Sequence, residues 1–402
     1  MRYTLPPNNQ YDYIIAGAGC AGLSLLMRIL ENPFLSNKQI LVIDEAPKNL
    51  NDRTWCFWET SPGLFEPVVH HRWPRLNFYS QAFSSPINIT PYEYKMIRGI
   101  DFYTYVLQKA QQYPNVHFHF GKITSSGNED RLGYVLTDGE KLYANYVFNS
   151  ILPKFRQADH TSLHKAPSRQ AGTSSLLQHF KGWLIETPEN IFDDTAATFM
   201  DFRVGQQKAT TFVYVLPVAP NKALVEFTLV SERLLDQIDY GQGLTSYINN
   251  YVTKGAYTVL DEEFGVIPMT DFRFAPSNGR VINIGTAGGQ TKASSGFTFQ
   301  FIQKHSEVMV QLLAGGKHPT ARTSFLQKRF HLYDSILLHI LQTGKMQGAD
   351  IFARMFKKIR PKTILRFLDN KSTLIEELGI MASMPARIFL PVAIQKINRL
   401  RK

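Results

Sequence analysis

Six residues near the start of the chain constrain its fold more than any others. Gly17-Ala-Gly19-Cys-Ala-Gly22 follows a short apolar run over 11–16, Tyr-Asp-Tyr-Ile-Ile-Ala, and opens an apolar segment that reaches about Leu30. The run reads as a buried strand, the glycines as a tight turn and the rest as a helix. A second buried strand, Gln-Ile-Leu-Val-Ile-Asp, covers 39–44. A strand–turn–helix–strand unit makes parallel sheet. In that setting the first glycine permits the turn, the second lets the backbone approach a pyrophosphate, and the third lets the helix pack closely on the strand. The helix N-terminus offers phosphates its unpaired N–H groups and a partial positive charge. Asp44 ends the second strand, placed to accept hydrogen bonds from ribose hydroxyls. Gly17, Gly19, Gly22 and Asp44 are therefore expected to bind a dinucleotide.

The same pattern returns far downstream. A buried strand over 280–285 leads into Gly285-Thr-Ala-Gly-Gly289, and a helix starts at about Phe297. This second glycine-rich element favours FAD over NAD and adds Gly285, Thr286 and Gly289 to the expected cofactor site. Flavoproteins of the glutathione-reductase-like kind carry a Gly-Asp here, whose acid contacts the ribityl chain. Thr286 stands in place of that acid and still offers a hydroxyl.

Between the two elements the character of the chain changes. A helix within 92–112 and strands over 116–121 and 142–149 belong with the first sheet, the stretch 49–58 reads as a loop, and 150–175 as a polar connection. From 176 to 275, short β-branched and aromatic strands alternate with turns: 182–187, 197–202, 210–216 and 223–230, with a hairpin-like turn over 217–222. That composition suits antiparallel sheet, and 231–254 reads as helical. The expected fold is α/β: a glutathione-reductase-like FAD-binding Rossmann domain, discontinuous over 1–170 and 276–330, with an inserted antiparallel β-sheet substrate domain over 171–275 and a basic helical region over 331–402. A chain of 402 residues is long enough for this.

Cys20 and Cys56 are the only cysteines, too few for a disulfide framework, and no metal-ligand spacing is present. A reducing compartment, the cytoplasm, is the simplest reading. The first ten residues lack the basic-then-apolar pattern of a signal peptide, and no run of about 18 apolar residues suggests a membrane span. Net charge is +11, and residues 345–402 hold 13 Lys and Arg against 4 Asp and Glu. Apolar residues are interleaved there: Ile351, Phe352, Met355, Phe356 and Ile359, then Ile364, Leu365, Phe367 and Leu368. Amphipathic helices with basic flanks fit peripheral attachment to an anionic membrane better than nucleic acid. A plain solvated helical face is the alternative.

Several blocks then carry a family resemblance. Asn51-Asp-Arg-Thr-Trp-Cys-Phe-Trp58 is the first. Gln178-His-Phe-Lys-Gly-Trp183, Ile185-Glu-Thr187 and Met200-Asp-Phe202 follow, then Phe212-Val-Tyr-Val-Leu-Pro217 with Leu224-Val-Glu-Phe-Thr228. Glu262-Glu-Phe-Gly-Val-Ile-Pro268 and the stretch from Gly285 to Phe297 complete the series. In order, from about Tyr11 to Leu313, the chain resembles the lycopene cyclases of bacteria and plants. The resemblance implies an FAD-binding fold, lycopene or a related acyclic ψ-ended carotene as substrate, and a β-ionone ring as product. It implies reduced FAD with no net oxidation or reduction, and NAD(P)H to reach and keep that state. It also implies that Glu226, matching a glutamate of the family's Phe-Leu-Glu-Glu-Thr-like motif, is the acid–base catalyst. Phe227 replaces the second acid of that motif. Neighbouring strand positions point to opposite faces, so the replacement need not touch the first.

Ring closure needs a proton on the terminal double bond, attack of an internal double bond on the resulting cation, and loss of a proton from the new ring. An exposed glutamate has a pKa of about 4.3, so half-protonation at neutral pH needs a rise of roughly 3 units, about 4 kcal/mol. Burial against an apolar polyene tunnel supplies such a shift. A unit negative charge on reduced flavin about 4 Å from the cation contributes roughly 4 kcal/mol at an effective dielectric near 20, or about a thousandfold in rate. Arg53 is expected to contact flavin or phosphate, a surface salt bridge being the plain alternative. Trp55, Phe57, Trp58, Phe297 and Phe299 are candidates for tunnel walls and π faces, or for core packing. His70 and His71 read as structural, and Asp201 and Glu262 as secondary carboxylates. Two other activities suit the same fold: an FAD-dependent monooxygenase, which consumes NAD(P)H with oxygen, and an isoprenoid reductase, which changes the mass of its substrate.

Overall fold

The computed structural model describes residues 10–152, 173–206, 209–320 and 324–400. The expected N-terminal stretch before residue 10 and most of the connection over 150–175 lie outside the described residues.

The chain enters as β1 (Gln10–Ala16), turns through the glycines into α1 (Cys20–Glu31) and returns as β2 (Ile40–Asp44). The stretch expected as a loop over 49–58 is a loop only in its first half; its aromatic second half forms β3 (Thr54–Glu59). Four short strands follow: β4 (His71–Trp73), β5 (Arg75–Tyr79), β6 (Ser85–Asn88) and β7 (Glu93–Arg98). Then come α2 (Gly99–Ala110), β8 (Val116–Phe120), β9 (Ile123–Glu129), β10 (Leu132–Thr137) and β11 (Glu140–Asn149).

The middle of the chain supplies β12 (Ser175–Glu186), β13 (Ala196–Asp201), β14 (Thr210–Ala219), β15 (Lys222–Ser231), α3 (Gln237–Tyr247) and β16 (Thr258–Thr270). β12 is twice as long as the strand expected over 182–187, and β16 has no counterpart among the expected strands. The chain then returns as β17 (Ser277–Asn278), β18 (Val281–Asn283) and α4 (Phe299–Ala314). It ends in α5 (Phe325–Gln342), α6 (Gly348–Lys358), α7 (Pro361–Leu368), α8 (Leu374–Ser383) and α9 (Ala386–Leu400).

These elements form the expected α/β architecture. The first sheet runs β17-β18-β11-β1-β2-β8, with a β9–β10 hairpin against β11. The pairs β18–β11, β11–β1, β1–β2 and β2–β8 are parallel. Ile14, Ile15, Leu41 and Ile43 have no exposed surface, as expected for strands covered on both faces. The second sheet runs β16-β12-β15-β14-β13-β5-β6, antiparallel through β16, β12, β15 and β14. It draws β5 and β6 from far upstream, between the small sheet strands β4 and β7.

Alternation along β15 positions the site. Ala223, Val225 and Phe227 pack on one face with Leu244, Tyr247 and Ile248 from α3 and the turn after it. Leu224 and Val230 belong to the core on the opposite face. Phe227, the residue in place of a second family acid, thus faces α3 and not the cavity side.

The C-terminal helices correct one expectation. Phe352, Met355, Phe356, Ile364, Leu365 and Leu368 are buried in the core of the second sheet. Phe352 stacks on Phe202 at 5.8 Å and Phe356 on Phe78 at 4.5 Å. The apolar stripe of α6 and α7 therefore meets protein, not lipid. Exposed apolar residues lie further on, in α8 (Leu374, Ile375, Leu378, Met381) and α9 (Leu390, Ile394). Among the described residues no helix is long and apolar enough to cross a membrane.

Candidate functional site

A cavity of about 450 Å³ opens where the first sheet, β3 and the second sheet converge. Its two ends are built differently.

At one end stands the glycine turn. Gly17 adopts φ +101°, and Gly19 is the N-cap of α1, with no side-chain cap and no acid in the first turn. A Cβ at Gly22 would strike the Gly17 carbonyl and come within 2.9 Å of Ile15 Cγ2, so the helix can seat on the strand only because that residue has no side chain. A Cβ at Gly19 would meet nothing within 4 Å, and Gly19 lines the cavity. The free N–H groups of α1 thus point at open space. Gly285 and Thr286 line the same end. A Cβ at Gly285 would lie 2.7 Å from Ala21 Cβ, so the two glycine-rich elements abut. Thr286 Oγ1 lies 3.1 Å from Thr291 Oγ1.

Asp44 and Gly289 are not part of the cavity wall. Asp44 accepts the Ala18 N–H at 2.7 Å and the Ala46 N–H at 3.2 Å, and pairs with Lys48 Nζ at 3.0 Å. It braces the turn and holds Lys48, which does line the cavity and carries no motif that the sequence reading used. Gly289 closes its turn at φ +75° beside Phe274. Arg53 lines the cavity and donates to the carbonyls of Asp52 and Phe264, at 3.0 and 3.3 Å. It ties the start of β3 to β16.

At the other end, four strands contribute one row of residues. Tyr214 on β14 pairs with Glu226 on β15, Glu226 with Gly182 on β12, and Gly182 with Glu263 on β16. Strands lie about 4.8 Å apart, so the two glutamates start two strand spacings from each other. Gly182 between them leaves the room for their side chains to converge. A Cβ there would come within 2.9 Å of Glu263 Cγ.

Glu226 stands half-buried in the cavity wall. Thr228 Oγ1 donates to its Oε1 at 2.8 Å. Burial first, and then the adjoining Glu263 carboxyl, push its pKa up to about 8. Burial also raises Glu263, against the pull of Thr54 and Arg53. Thr54 Oγ1 donates to Glu263 Oε2 at 2.7 Å. Around Glu226 the wall is aromatic: Tyr94, Tyr214 and Phe297 line the cavity. Phe199 packs behind them, 5.6 Å from Tyr94 and 6.1 Å from both Tyr214 and Phe297. Burial pushes the Tyr94 and Tyr214 hydroxyls and the Cys56 thiol upward, so all three stay protonated.

Of the aromatic residues singled out in the sequence, Trp55, Phe297 and Phe299 reach the cavity. Phe57 stacks on Phe299 at 4.5 Å and Trp58 meets Phe297 at 4.8 Å. His70 lies 3.9 Å from Asp101, and His71 bonds the Asp194 carbonyl at 2.8 Å, both structural contacts. No cluster able to hold a metal occurs among the described residues. Asp201 is fully buried and held by Arg203 and Tyr247. Glu262 points the other way, into an ion pair with Lys181 at 2.7 Å. The carboxylate that faces Glu226 is its neighbour, Glu263. Finding it requires the β16 strand and its register, because a slip of one residue moves a side chain to the opposite face.

Comparison with known proteins adds to this geometry. The family model described as "Lycopene cyclase protein" matches residues 12–393. The lycopene beta-cyclase of Pantoea ananas is 26% identical over 268 residues, which make up 65% of this chain and 63% of that protein. The chain thus spans less than two thirds of that relative. A geranylgeranyl bacteriochlorophyll reductase-like protein of Thermoplasma acidophilum superimposes with a TM-score of 0.61 at 12% identity, over 97% of this chain and 99% of the other. The p-nitrophenol 4-monooxygenase of Pseudomonas putida gives 0.55 at 12% identity, over 96% and 98%. These two likenesses show the fold.

Proposed function

This chain belongs to the lycopene cyclase family, and on that premise we propose that it closes β-ionone rings at the ψ-ends of lycopene, through γ-carotene to β-carotene, without net oxidation or reduction. One observation carries the reading. Glu226 stands in an aromatic cavity wall on the same strand row as Glu263, a setting in which burial and the second carboxyl raise its pKa, and a proton source of that kind is what the first step needs.

The residues at the glycine end fit FAD. The uncapped N-terminus of α1 faces open space beside Gly19, and Lys48 and Arg53 supply positive charge in the same wall. Gly17, Gly22 and Gly285 shape the cradle, Thr286 offers a hydroxyl, and Asp44 and Gly289 support the turns from behind. Held there in its reduced, anionic form, FAD would supply negative charge to stabilise a cation, with NAD(P)H as the external reductant.

This chain's own residues do the rest. Glu226 delivers its proton to the terminal double bond of the polyene. Tyr94, Tyr214 and Phe297 present π faces to the cation, an attraction of about 0.5–2 kcal/mol per ring. The Tyr94 and Tyr214 hydroxyls and the Cys56 thiol in those walls keep their protons, which makes them weak traps for the cation. The reductase and monooxygenase readings share the fold alone, and neither has a use for a protonated glutamate beside aromatic rings.

The test is anaerobic incubation of the protein with lycopene in liposomes, FAD and a reductant. A product of unchanged mass with a shorter chromophore supports cyclisation. A change of mass, or oxygen-dependent consumption of NAD(P)H, overturns it.

We assign peripheral membrane attachment, in the cytoplasm, to α8 and α9. Leu374, Ile375 and Leu378 share one face of α8, and Leu390 and Ile394 one face of α9. Exposed Lys357, Lys358, Arg360, Lys362 and Arg387 supply the positive charge that an anionic lipid surface attracts. Ile375→Asp with Leu378→Asp lowers retention on anionic liposomes, whereas truncating the buried residues of α6 and α7 costs stability first. Unchanged retention of the double variant removes this assignment.

A further inference from the structure

We propose that Glu263 is the ionised half of a two-carboxyl unit that shares a single proton with Glu226, and that it acts as a positioning residue holding Glu226 in its acid form. The proposal rests on the cyclase reading for its purpose, but not for its geometry.

At rest near neutral pH, two adjoining half-buried carboxyls retain one proton between them, because like charges at contact and lost hydration both disfavour the doubly ionised pair. The surroundings decide where that proton resides. On the β3 side, Thr54 Oγ1 donates to Glu263 Oε2 at 2.7 Å, and the Arg53 guanidinium favours charge on the same group. On β16 itself Asp261 opposes that charge, while Glu262 is turned away to Lys181. Glu226 faces Cys56 on β3, Tyr94 on β7 and Tyr214 on β14, all neutral, with the Thr228 hydroxyl as its donor. The β12 strand contributes Gly182, which has no side chain. Charge is therefore favoured on Glu263 and the proton on Glu226. The second oxygen of Glu263, Oε1, is buried and receives no hydrogen bond from any other group among the described residues; the Glu226 hydroxyl beside it is the donor it lacks.

The arrangement has a consequence for turnover. Glu226 lines the cavity and Glu263 does not, so Glu263 stands behind the acid, out of reach of the polyene. When Glu226 gives its proton to the terminal carbon, a C–H bond forms and the pair is left with two negative charges. When the ring later loses a proton and its electron pair becomes the new C=C bond, the doubly charged pair is the strongest nearby acceptor. The proton returns to Glu226, and the unit ends as it began, with no electron gained or lost.

The test is Glu263→Gln, which keeps the size, removes the charge and turns an amide donor toward Glu226. The alkaline limb of kcat/KM should move at least one pH unit toward acid, with a tenfold or greater loss at pH 8 and a smaller loss on the acid side. Glu263→Asp retains the charge and should restore most of the limb. Infrared difference titration of the protein without substrate gives an independent readout: a carboxylic acid carbonyl band, absent in Glu226→Gln, should persist to near pH 8 in the parent and vanish at lower pH in Glu263→Gln. A limb and a band that both stay in place in a folded Glu263→Gln protein overturn the proposal. A parent protein that leaves lycopene unconverted but shows the band shift would sink the cyclase reading and leave the carboxyl pair standing.

Discussion

The two ends of the cavity are made in opposite ways. The glycine end is written in consecutive residues: Gly17 to Gly22 supply the turn, the helix N-terminus and the close packing within six positions. On the proposed reading its working groups are backbone N–H groups, and the side chains matter mainly by being absent. The carboxylate end is assembled from Tyr214, Glu226, Gly182 and Glu263, which share a row only because four strands pair in one register. Its working groups are side chains, tuned by neighbours far away in sequence. A binding motif can be local because phosphate needs only oriented backbone dipoles. A carboxyl that keeps its proton at neutral pH needs burial, which a nearby like charge reinforces, and the fold must bring both.

The contrast can be broken most sharply with one substitution at each end. Glu226→Gln should lower ring closure by 10²–10⁴-fold, the usual loss with a general acid, while flavin fluorescence and affinity remain those of the parent. Gly22→Val should strike the other end, removing flavin binding and ring closure with it, and costing about 1–3 kcal/mol through overpacking against β1. Loss of flavin in Glu226→Gln would show that the ends are not separable.

A pH titration of stability sharpens the same distinction. Glu226 is raised from its unfolded value to about 8, so between the two values the folded state holds a proton that the unfolded chain has released. Stability is then full below the unfolded pKa and falls as pH rises toward 8, by up to about 1.4 kcal/mol per pH unit for one proton. Glu226→Gln should flatten that slope in denaturant titrations from pH 5 to 8, and Gly22→Val should leave it unchanged. An equal slope in the parent and Glu226→Gln would place the titrating group elsewhere.

The smallest effect separates two adjacent acids. Glu262→Gln removes a surface pair whose acid is exposed, with Lys181, worth about 1 kcal/mol, and should leave the pH profile of catalysis intact. A shifted profile would mean that β16 does not present Glu263 to Glu226.

Much of the fold could be read before any coordinates. The strand–glycine–helix–strand unit appears as β1, α1 and β2, and the four expected central strands appear as β12, β13, β14 and β15, with β12 beginning seven residues earlier. The aromatic half of 49–58 became a strand because β7 offers it a partner, and β5 and β6 joined the second sheet through a contact with β13. Neither partnership leaves a mark on local periodicity. In α6 and α7 the apolar stripe was legible, but a stripe looks the same whether it meets lipid or Phe78 and Phe202.

By itself, then, the sequence determined the glycine turn and the class of fold, because each depends on short-range sterics or a contiguous pattern, and its family resemblance marked Glu226 as the residue to watch. Only the tertiary structure decided that Glu263 and not Glu262 faces Glu226, that Gly182 makes room for both, and which helices leave apolar surface uncovered. Those outcomes depend on strand register and on which faces find partners, and both are set by contacts between residues far apart in the chain.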